Sequence, residues 1–392
     1  MRVGAPTKGT ERPPLWRDVR VLRIVVQIAF LCAVVGLVWY LGHNLTTNLA
    51  ARGIEPPTDF SYLTQPAGFT ILGEDFRPSQ SFRQALLIGI KNTALISFVG
   101  IILATALGIL VGIGRLSSNW LVRKSAAAYV EILRNTPILL LIIFVYLALV
   151  LNLPSMDEPV DLGFLQLSNQ GLWVPWLDVT RGLGSFLGVV GVGVVLAVLL
   201  GAWRTRRFNA TGVPHRRVLL GLGVILLVSV IGYVLQGRPL RLSLPTGEGR
   251  DVEGGLRLIP EYGALLFALT IYTASHIAEI VRGSILSVHK GQSEAATAIG
   301  LTPSQRYRYV ILPQALRVAI PPTGNQYLNL TKNSSLAVAV GFPEVTRLTS
   351  LMLQQVPAVQ AIALLMLIYL SFSLSISAVT NVINRRLAIK ER

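Results

Sequence analysis

The sequence predicts an all-α integral membrane protein with about eight transmembrane helices and both termini in the cytoplasm. Three observations predict it. Of 392 residues, 52% are hydrophobic and only 14% are charged, against about 25% charged in an ordinary soluble domain. The apolar residues gather into runs that cover about 30 Å of hydrocarbon at about 1.5 Å per helical residue. The basic residues fall between these runs and are unevenly shared between the two sides. The net charge of +16 is spread over many loops and not gathered in one patch. It therefore reads as contact with a lipid bilayer and not with nucleic acid.

The runs are 24–41, 85–113, 126–151, 183–200, 218–236, 260–280, 314–332 and 358–383. The first has a basic lead, but its 18 apolar residues exceed the signal-peptide core of about 7–15, so it reads as a retained anchor. Residues 42–84, with Pro56, Pro57, Pro66 and Gly68, read as an irregular outer segment. The second run carries Lys91, Asn92 and Thr93, and Gly108, Gly112 and Gly114 as small-residue packing positions. The third is expected as one span with Arg134, Asn135 and Thr136 in its inner part. Two Gly/Val/Leu-rich runs within 152–260 flank Arg204, Arg206, Arg207, Arg216 and Arg217, a topology determinant drawn to anionic lipid. The seventh is interrupted by Pro321 and Pro322, which a membrane helix tolerates where neighbours satisfy the freed carbonyls.

Orientation follows from charge. With both ends inside, 23 of the 35 Lys and Arg fall on inner pieces and 9 on outer ones, while acids divide 4 inside to 12 outside. Trp39, Tyr40, Trp173 and Trp176 lie near the outer interface as an aromatic belt. The division expected is an anchor and outer segment over 1–84, a permeating domain over 85–385 with 152–260 inserted, and a cytoplasmic tail over 386–392.

No catalytic constellation is present. The chain has no Gly-Lys-Ser/Thr phosphate loop, no G-x-S-x-G elbow and no H-E-x-x-H. Its histidines, His43, His215, His276 and His289, are scattered, and Cys32 is its one cysteine, so no catalytic residue, metal or cofactor is expected. If ATP is used, another chain binds it.

The informative stretch is 291–313, GQSEAATAIGLTPSQRYRYVILP. Glu294 to Ala298 favour a helix with its acid early. Gly300 suits the left-handed position that ends it. Thr302 caps a second helix, with Pro303 at its first position, Gln305 closing a capping box and Pro313 ending it. Two short helices joined at an angle make a rigid inner-face protrusion.

Glu294-Ala295-Ala296, Gly300, Val310 and Leu312-Pro313 resemble the EAA loop of ABC importer permeases, E-A-A-x3-G-x9-I-x-L-P, with Val310 where Ile is usual. Arg134 to Leu140 resembles the R-[GN]-T-P-L-L stretch of the polar amino-acid uptake permeases, and Asn329 to Leu336 their N-x-x-K-[DN]-[ST]-S-L run. Residues 85–150 and 260–385 carry the match. The extra first span and the insertion resemble the long permease subunit of broad-specificity L-amino-acid importers. The resemblance implies a type I permease core and a non-catalytic transport subunit in the cytoplasmic membrane. It implies three kinds of partner: a cytoplasmic ABC ATPase dimer, a second related permease and an extracytoplasmic solute-binding protein. The coupling residues would be Glu294, Ala295, Ala296, Gly300, Arg306, Leu312 and Pro313, with Arg306 and Arg308 at the contact rim.

An amino acid crossing the bilayer needs polar partners for its two charges. Candidates at membrane depth are Asn92, Thr93, Thr136, Gln326, Asn329, Lys332, Asn333, Ser334 and Ser335. Lys91 either snorkels or lines the cavity. Arg134 is expected to pair with Glu131, and Glu279 with Arg282. An ion-coupled secondary carrier is the rival. It would need several acids within the spans, where only Glu131, Glu261 and Glu279 occur, all near span ends. An ABC permease for another small polar solute is the second rival.

Overall fold

The computed structural model describes residues 19–51, 60–179, 182–211, 217–237, 239–247 and 252–387. Pro56, Pro57, Arg216 and the tail 388–392 lie outside them. Helix α1 (Val19–Ala51) precedes an irregular cap over 60–81, then α2 (Phe82–Gly114), α3 (Trp120–Asn135) and α4 (Ile138–Phe144), which continues as a wider turn over Val145–Val150. Next come α5 (Leu183–Thr211), α6 (Arg217–Leu235), α7 (Pro260–Leu286) and α8 (Lys290–Ala298). The last are α9 (Pro303–Arg306), α10 (Leu312–Asn333), α11 (Val345–Met352) and α12 (Ala358–Leu387). Inner below denotes the side richer in Lys and Arg, and outer the side richer in acids.

Among the described residues, α1, α2, α5, α6, α7 and α12 are each long and apolar enough to cross a membrane. The pair α3–α4 passes only when its two members are taken together, bent by 105°. The straight span expected at 126–151 is therefore broken, and Pro137 explains the break. A proline disfavours αR in the residue before it, and Thr136 takes φ −93°, ψ 128°. The broken pair still follows α7: the Tyr129 hydroxyl donates to the Ile271 carbonyl at 2.6 Å and that of Tyr146 to Glu261 Oε1 at 2.9 Å.

The stretch expected at 314–332 is helical within α10 but too polar to be recognised by composition, with Arg317, Asn325, Gln326, Asn329 and Lys332. Nor is it interrupted. Pro321 and Pro322 lie inside a continuous helix. Their missing N–H groups remove the usual donors to the carbonyls of Arg317 and Val318, and α10 packs against α7 and α12.

Helices α2 and α7 form the central pair. A Cβ on Gly108 would lie 2.7 Å from Ile277 Cβ, and one on Gly112 2.8 Å from the Ala278 carbonyl oxygen, so these two glycines let the backbones touch. Gly114 faces α3 instead, at Ala126. Ile96, Ile142, Leu265, Leu269 and Leu330 fill the core around the pair. The outer cap buries Tyr62, Ile71 and Phe76 against Phe82, Leu348 and Met352. Lys91 is exposed, and its ammonium donates to Glu74 of the outer cap at 2.6 Å.

The insertion holds short antiparallel strands that the sequence does not announce. β1 (Val160–Asp161), β2 (Gln166–Ser168) and β3 (Gly171–Val174) precede α5, with β4 (Trp176–Val179) after β3. β5 (Leu240–Ser243) and β6 (Leu256–Leu258) follow α6 and close the sheets in the orders β1-β2-β3-β6 and β4-β5. The paired helices α5 and α6 are thus carried by outer strands that meet across the insertion. Trp173 belongs to this sheet and not to a lipid-facing belt: it is 5% exposed, with Arg257 stacked 5.2 Å from its ring centre. Trp39, Tyr40 and Trp176 are exposed.

Candidate functional site

The 291–313 stretch folds as a bent knuckle on the inner side. His289 starts α8 earlier than expected, its Nδ1 accepting the Gly291 N–H at 3.1 Å. Glu294 therefore lies in the middle of α8 and not in its first turn. The helix ends in a Schellman motif: Gly300 N–H donates to the Thr297 carbonyl at 3.0 Å and Leu301 N–H to that of Ala296 at 3.1 Å. Gly300 supplies the φ of 80° that this requires. Thr302 then caps α9, accepting from Gln305 N–H at 3.4 Å while Gln305 Oε1 accepts the Thr302 N–H at 2.9 Å.

The second helix does not stop at Pro313. It widens to i→i+5 bonding over Tyr307–Ile311 and runs on into α10. Pro313 falls just after this widened turn, inside the continuous helix, where its missing N–H removes one upstream helical bond. The protrusion is one short helix bent onto the start of a long one. Arg306, expected at the rim, is half-buried and turned inward: its guanidinium donates to Thr297 Oγ1 at 3.2 Å and bridges the bend. Ala296 is buried beneath the knuckle, while Glu294, Ala295 and Ile299, the last 76% exposed, form its surface. Arg308 is exposed and stacks on Tyr309, and Leu312 is exposed at the base.

The polar residues at membrane depth separate into groups. Asn92 and Thr93 are buried and bind backbone: Asn92 Nδ2 donates to the Pro343 carbonyl at 3.0 Å, and Thr93 Oγ1 accepts the Val345 N–H at 3.2 Å. Ser334 is buried with its hydroxyl on the Thr331 carbonyl, and Ser335 donates to that of Lys332. Thr136, at the α3–α4 break, donates to the Ile132 carbonyl. Among the described residues, the side chains of Gln326, Asn329, Lys332 and Asn333 make no hydrogen bond; Asn329 and Lys332 are exposed, and Gln326 and Asn333 half-buried.

Two features escape sequence reading. Glu344 is fully buried at the start of α11, its carboxylate accepting from Thr346 N–H at 2.9 Å, Arg347 N–H at 2.8 Å and the Tyr369 hydroxyl at 2.8 Å. Its signal is faint: one acid after the apolar run 336–343. The second is a charge cluster where the inner ends of α2 and α7 meet the C-terminal turns of α3. Glu279 binds Arg282 at 2.6 Å as expected and Arg115 as well. Arg134 faces Glu279 at 4.0 Å rather than pairing with Glu131, because α3 turns this face onto α7. Beside the cluster is a cavity of about 470 Å³ lined by Arg115, Glu131, Arg134, Asn135, His276 and Glu279.

Fold and knuckle together define a multi-pass membrane permease. Residues 104–389 match the family described as binding-protein-dependent transport system inner membrane component, and the chain belongs to that family. It is 40% identical to the general L-amino acid transport system permease protein AapQ of Rhizobium johnstonii, over 96% of this chain and 94% of the relative. It is 41% identical to the putative amino-acid ABC transporter permease protein YhdX of Escherichia coli, over 93% and 94%. To the glutamate/glutamine/aspartate/asparagine transport system permease protein BztB of Rhodobacter capsulatus it is 36% identical, over 99% and 98%. A solved structure of an amino acid ABC transporter with histidines aligns with 78% of this chain and 95% of its own at 19% identity, with a TM-score of 0.47.

Proposed function

We propose that this chain is the translocation subunit for L-amino acids in an ATP-driven importer, itself non-catalytic, with ATP hydrolysed by a partner dimer. The observation that carries the reading is the knuckle. Its Schellman turn, capping box and Arg306 brace make a stiff bend that exposes Glu294, Ala295 and Ile299 to a partner. It is joined to the core through α7 on one side and α10 on the other. An ATPase cleft that grips the bend therefore moves both helices. ATP stabilises one arrangement over the other, and the path alternates between its two openings. Glu294, Ala295, Ala296, Gly300, Arg306, Leu312 and Pro313 serve this coupling, Arg306 by bracing the bend.

The amino-acid substrate is supported by relatives whose names state amino-acid transport. A solute-binding protein delivers the amino acid on the outer side, and a second, related permease completes the pore. The chain crosses eight times with both ends inside: α3–α4 counts as one broken crossing and α10 as the seventh, its polar residues turned to the path. Asn92, Thr93, Thr136, Gln326, Asn329 and Lys332 to Ser335 border that path. Residues 1–84 form the anchor and outer segment, 85–385 the permease proper and 386–392 the tail.

The test is reconstitution of the chain in proteoliposomes with its ATPase, second permease and binding protein, followed by uptake of labelled L-amino acids. Uptake should need internal ATP and ignore ionophores. Glu294→Lys should abolish uptake and ATPase capture while membrane insertion persists. Uptake that survives ATP depletion and collapses with an ionophore would overturn the reading in favour of an ion-coupled carrier.

A further inference from the structure

We infer that the cavity between α2, α3 and α7 is a subsite for the α-carboxylate and α-ammonium groups of a free amino acid on the inner part of the path. This rests on the permease reading above. The cavity's volume of about 470 Å³ lies within the range of small-ligand sites, about 300–1,000 Å³.

Its charges are only partly used. Each oxygen of Glu279 already accepts a bond, one from Arg282 and the other from Arg115. Arg134 is left with its nearest acid at 4.0 Å, beyond hydrogen-bond reach, and its guanidinium makes no hydrogen bond among the described residues. That leaves a planar fork of donors suited to a carboxylate. Glu131, one turn back on α3, forms no ion pair among the described residues. His276 Nε2 is buried without a partner on the same wall. Buried polar atoms are ordinarily satisfied, and unspent groups of this kind around an open volume are what a polar ligand would complete.

The sign of the lining decides the ligand class. A guanidinium and a carboxylate one turn apart share one helix face, about 5–6 Å apart at Cβ, and so present both signs of charge to a zwitterion. A phosphate or lipid headgroup would meet repulsion from Glu131 and Glu279. The position fits a gating role as well. Glu279 lies on α7, which leads into α8 and the knuckle. A shift of α7 moves Glu279 relative to Arg134, and Glu279 then competes with the ligand carboxylate for the same guanidinium.

The experiment is thermal unfolding of the purified transporter complex in detergent, without ATP or binding protein. Millimolar L-alanine, L-glutamine, L-alanine methyl ester and inorganic phosphate are the probes. The two amino acids should raise Tm, and the ester and phosphate should not. Arg134→Gln should remove the amino-acid shift, and Glu131→Gln should weaken apparent affinity about tenfold. Glu131 is exposed and makes no hydrogen bond within the described chain, so E131Q decides the matter if R134Q fails to assemble. No shift in the wild type, an equal shift with phosphate, or a shift indifferent to the substitutions overturns the subsite. Uptake is measured separately. A complex that transports but shows no shift loses the subsite alone, and one that shows the shift but moves no amino acid loses the permease reading.

Discussion

Arg306 reaches back across the bend of the knuckle to Thr297, guanidinium to hydroxyl at 3.2 Å, and so ties α9 to the helix before it. The Schellman turn sets the bend between the two helices, and this side-chain bond is a second tie across it. A hydrogen bond to a charged group contributes about 1.5–3 kcal/mol when buried, and solvent at this half-exposed site reduces that. Arg306→Ala should leave the protein inserted and folded while lowering ATP-dependent uptake several-fold. Thr297→Val should do the same, and the double variant should be no worse than either single one. Uptake in proteoliposomes together with capture of the ATPase checks this; additive losses would mean the two side chains act separately.

Gly300 offers a cleaner probe of the bend, because a Cβ there would meet nothing within 4 Å and the whole cost is conformational. At φ 80° an L-residue other than glycine costs about 1–2 kcal/mol. Asparagine tolerates this region best and β-branched residues least. Uptake should therefore fall in the order Gly300, Gly300→Asn, Gly300→Ala, Gly300→Val, with membrane levels unchanged. An equal effect of all three would point to lost contact and not to lost geometry.

The knuckle was legible because its signals are local. Gly300, Thr302, Pro303 and Gln305 each specify backbone within a few residues, and the structure forms the Schellman turn and capping box they imply. Most long apolar helices were legible for the same reason: length and composition suffice. Proline is ambiguous in the sequence. Pro137 breaks a span that hydropathy alone joins, whereas Pro313 and Pro321–Pro322 are absorbed into a helix held by neighbours. Which outcome wins depends on packing that lies far away in sequence. The strand pairing of Trp173 with Arg257 and the Arg134–Glu279 contact are of the same kind. Each needs the fold before either partner can be chosen.

Glu344 should be the least replaceable outer residue. Removing its carboxylate strands two part-buried N–H groups at the start of α11 and takes one partner from the Tyr369 hydroxyl, which keeps Thr346 Oγ1 at 3.1 Å. Loss of an N-cap costs about 0.5–2 kcal/mol, and each stranded buried group about 1–3 kcal/mol more. Glu344→Ala should lower the unfolding temperature of the detergent-purified protein sharply. Glu344→Gln, which keeps an acceptor, should lower it less. Tyr369→Phe should cost less in the Ala background than in the wild type, since only the bond to Thr346 is left to lose. A fully additive double variant would show that the bond to Glu344 contributes nothing.

Two glycines on one helix should respond unequally to the same added methyl group. At Gly108 a Cβ would sit 2.7 Å from Ile277 Cβ, an atom fixed to the backbone of α7, so the helices themselves must separate. At Gly100 the nearest atoms are the Leu330 methyls at 3.3 Å and 3.4 Å, the free end of a side chain that can rotate. Overpacking a tight core costs about 1–3 kcal/mol, so Gly108→Ala should destabilise by that amount and Gly100→Ala by about 0.5 kcal/mol or less. Ile277→Ala should not rescue Gly108→Ala, because the obstructing Cβ survives the substitution. Thermal unfolding of the three variants and the double decides it. Rescue by Ile277→Ala would place the conflict at the side-chain tip and show that α2 and α7 are less closely apposed than this geometry requires.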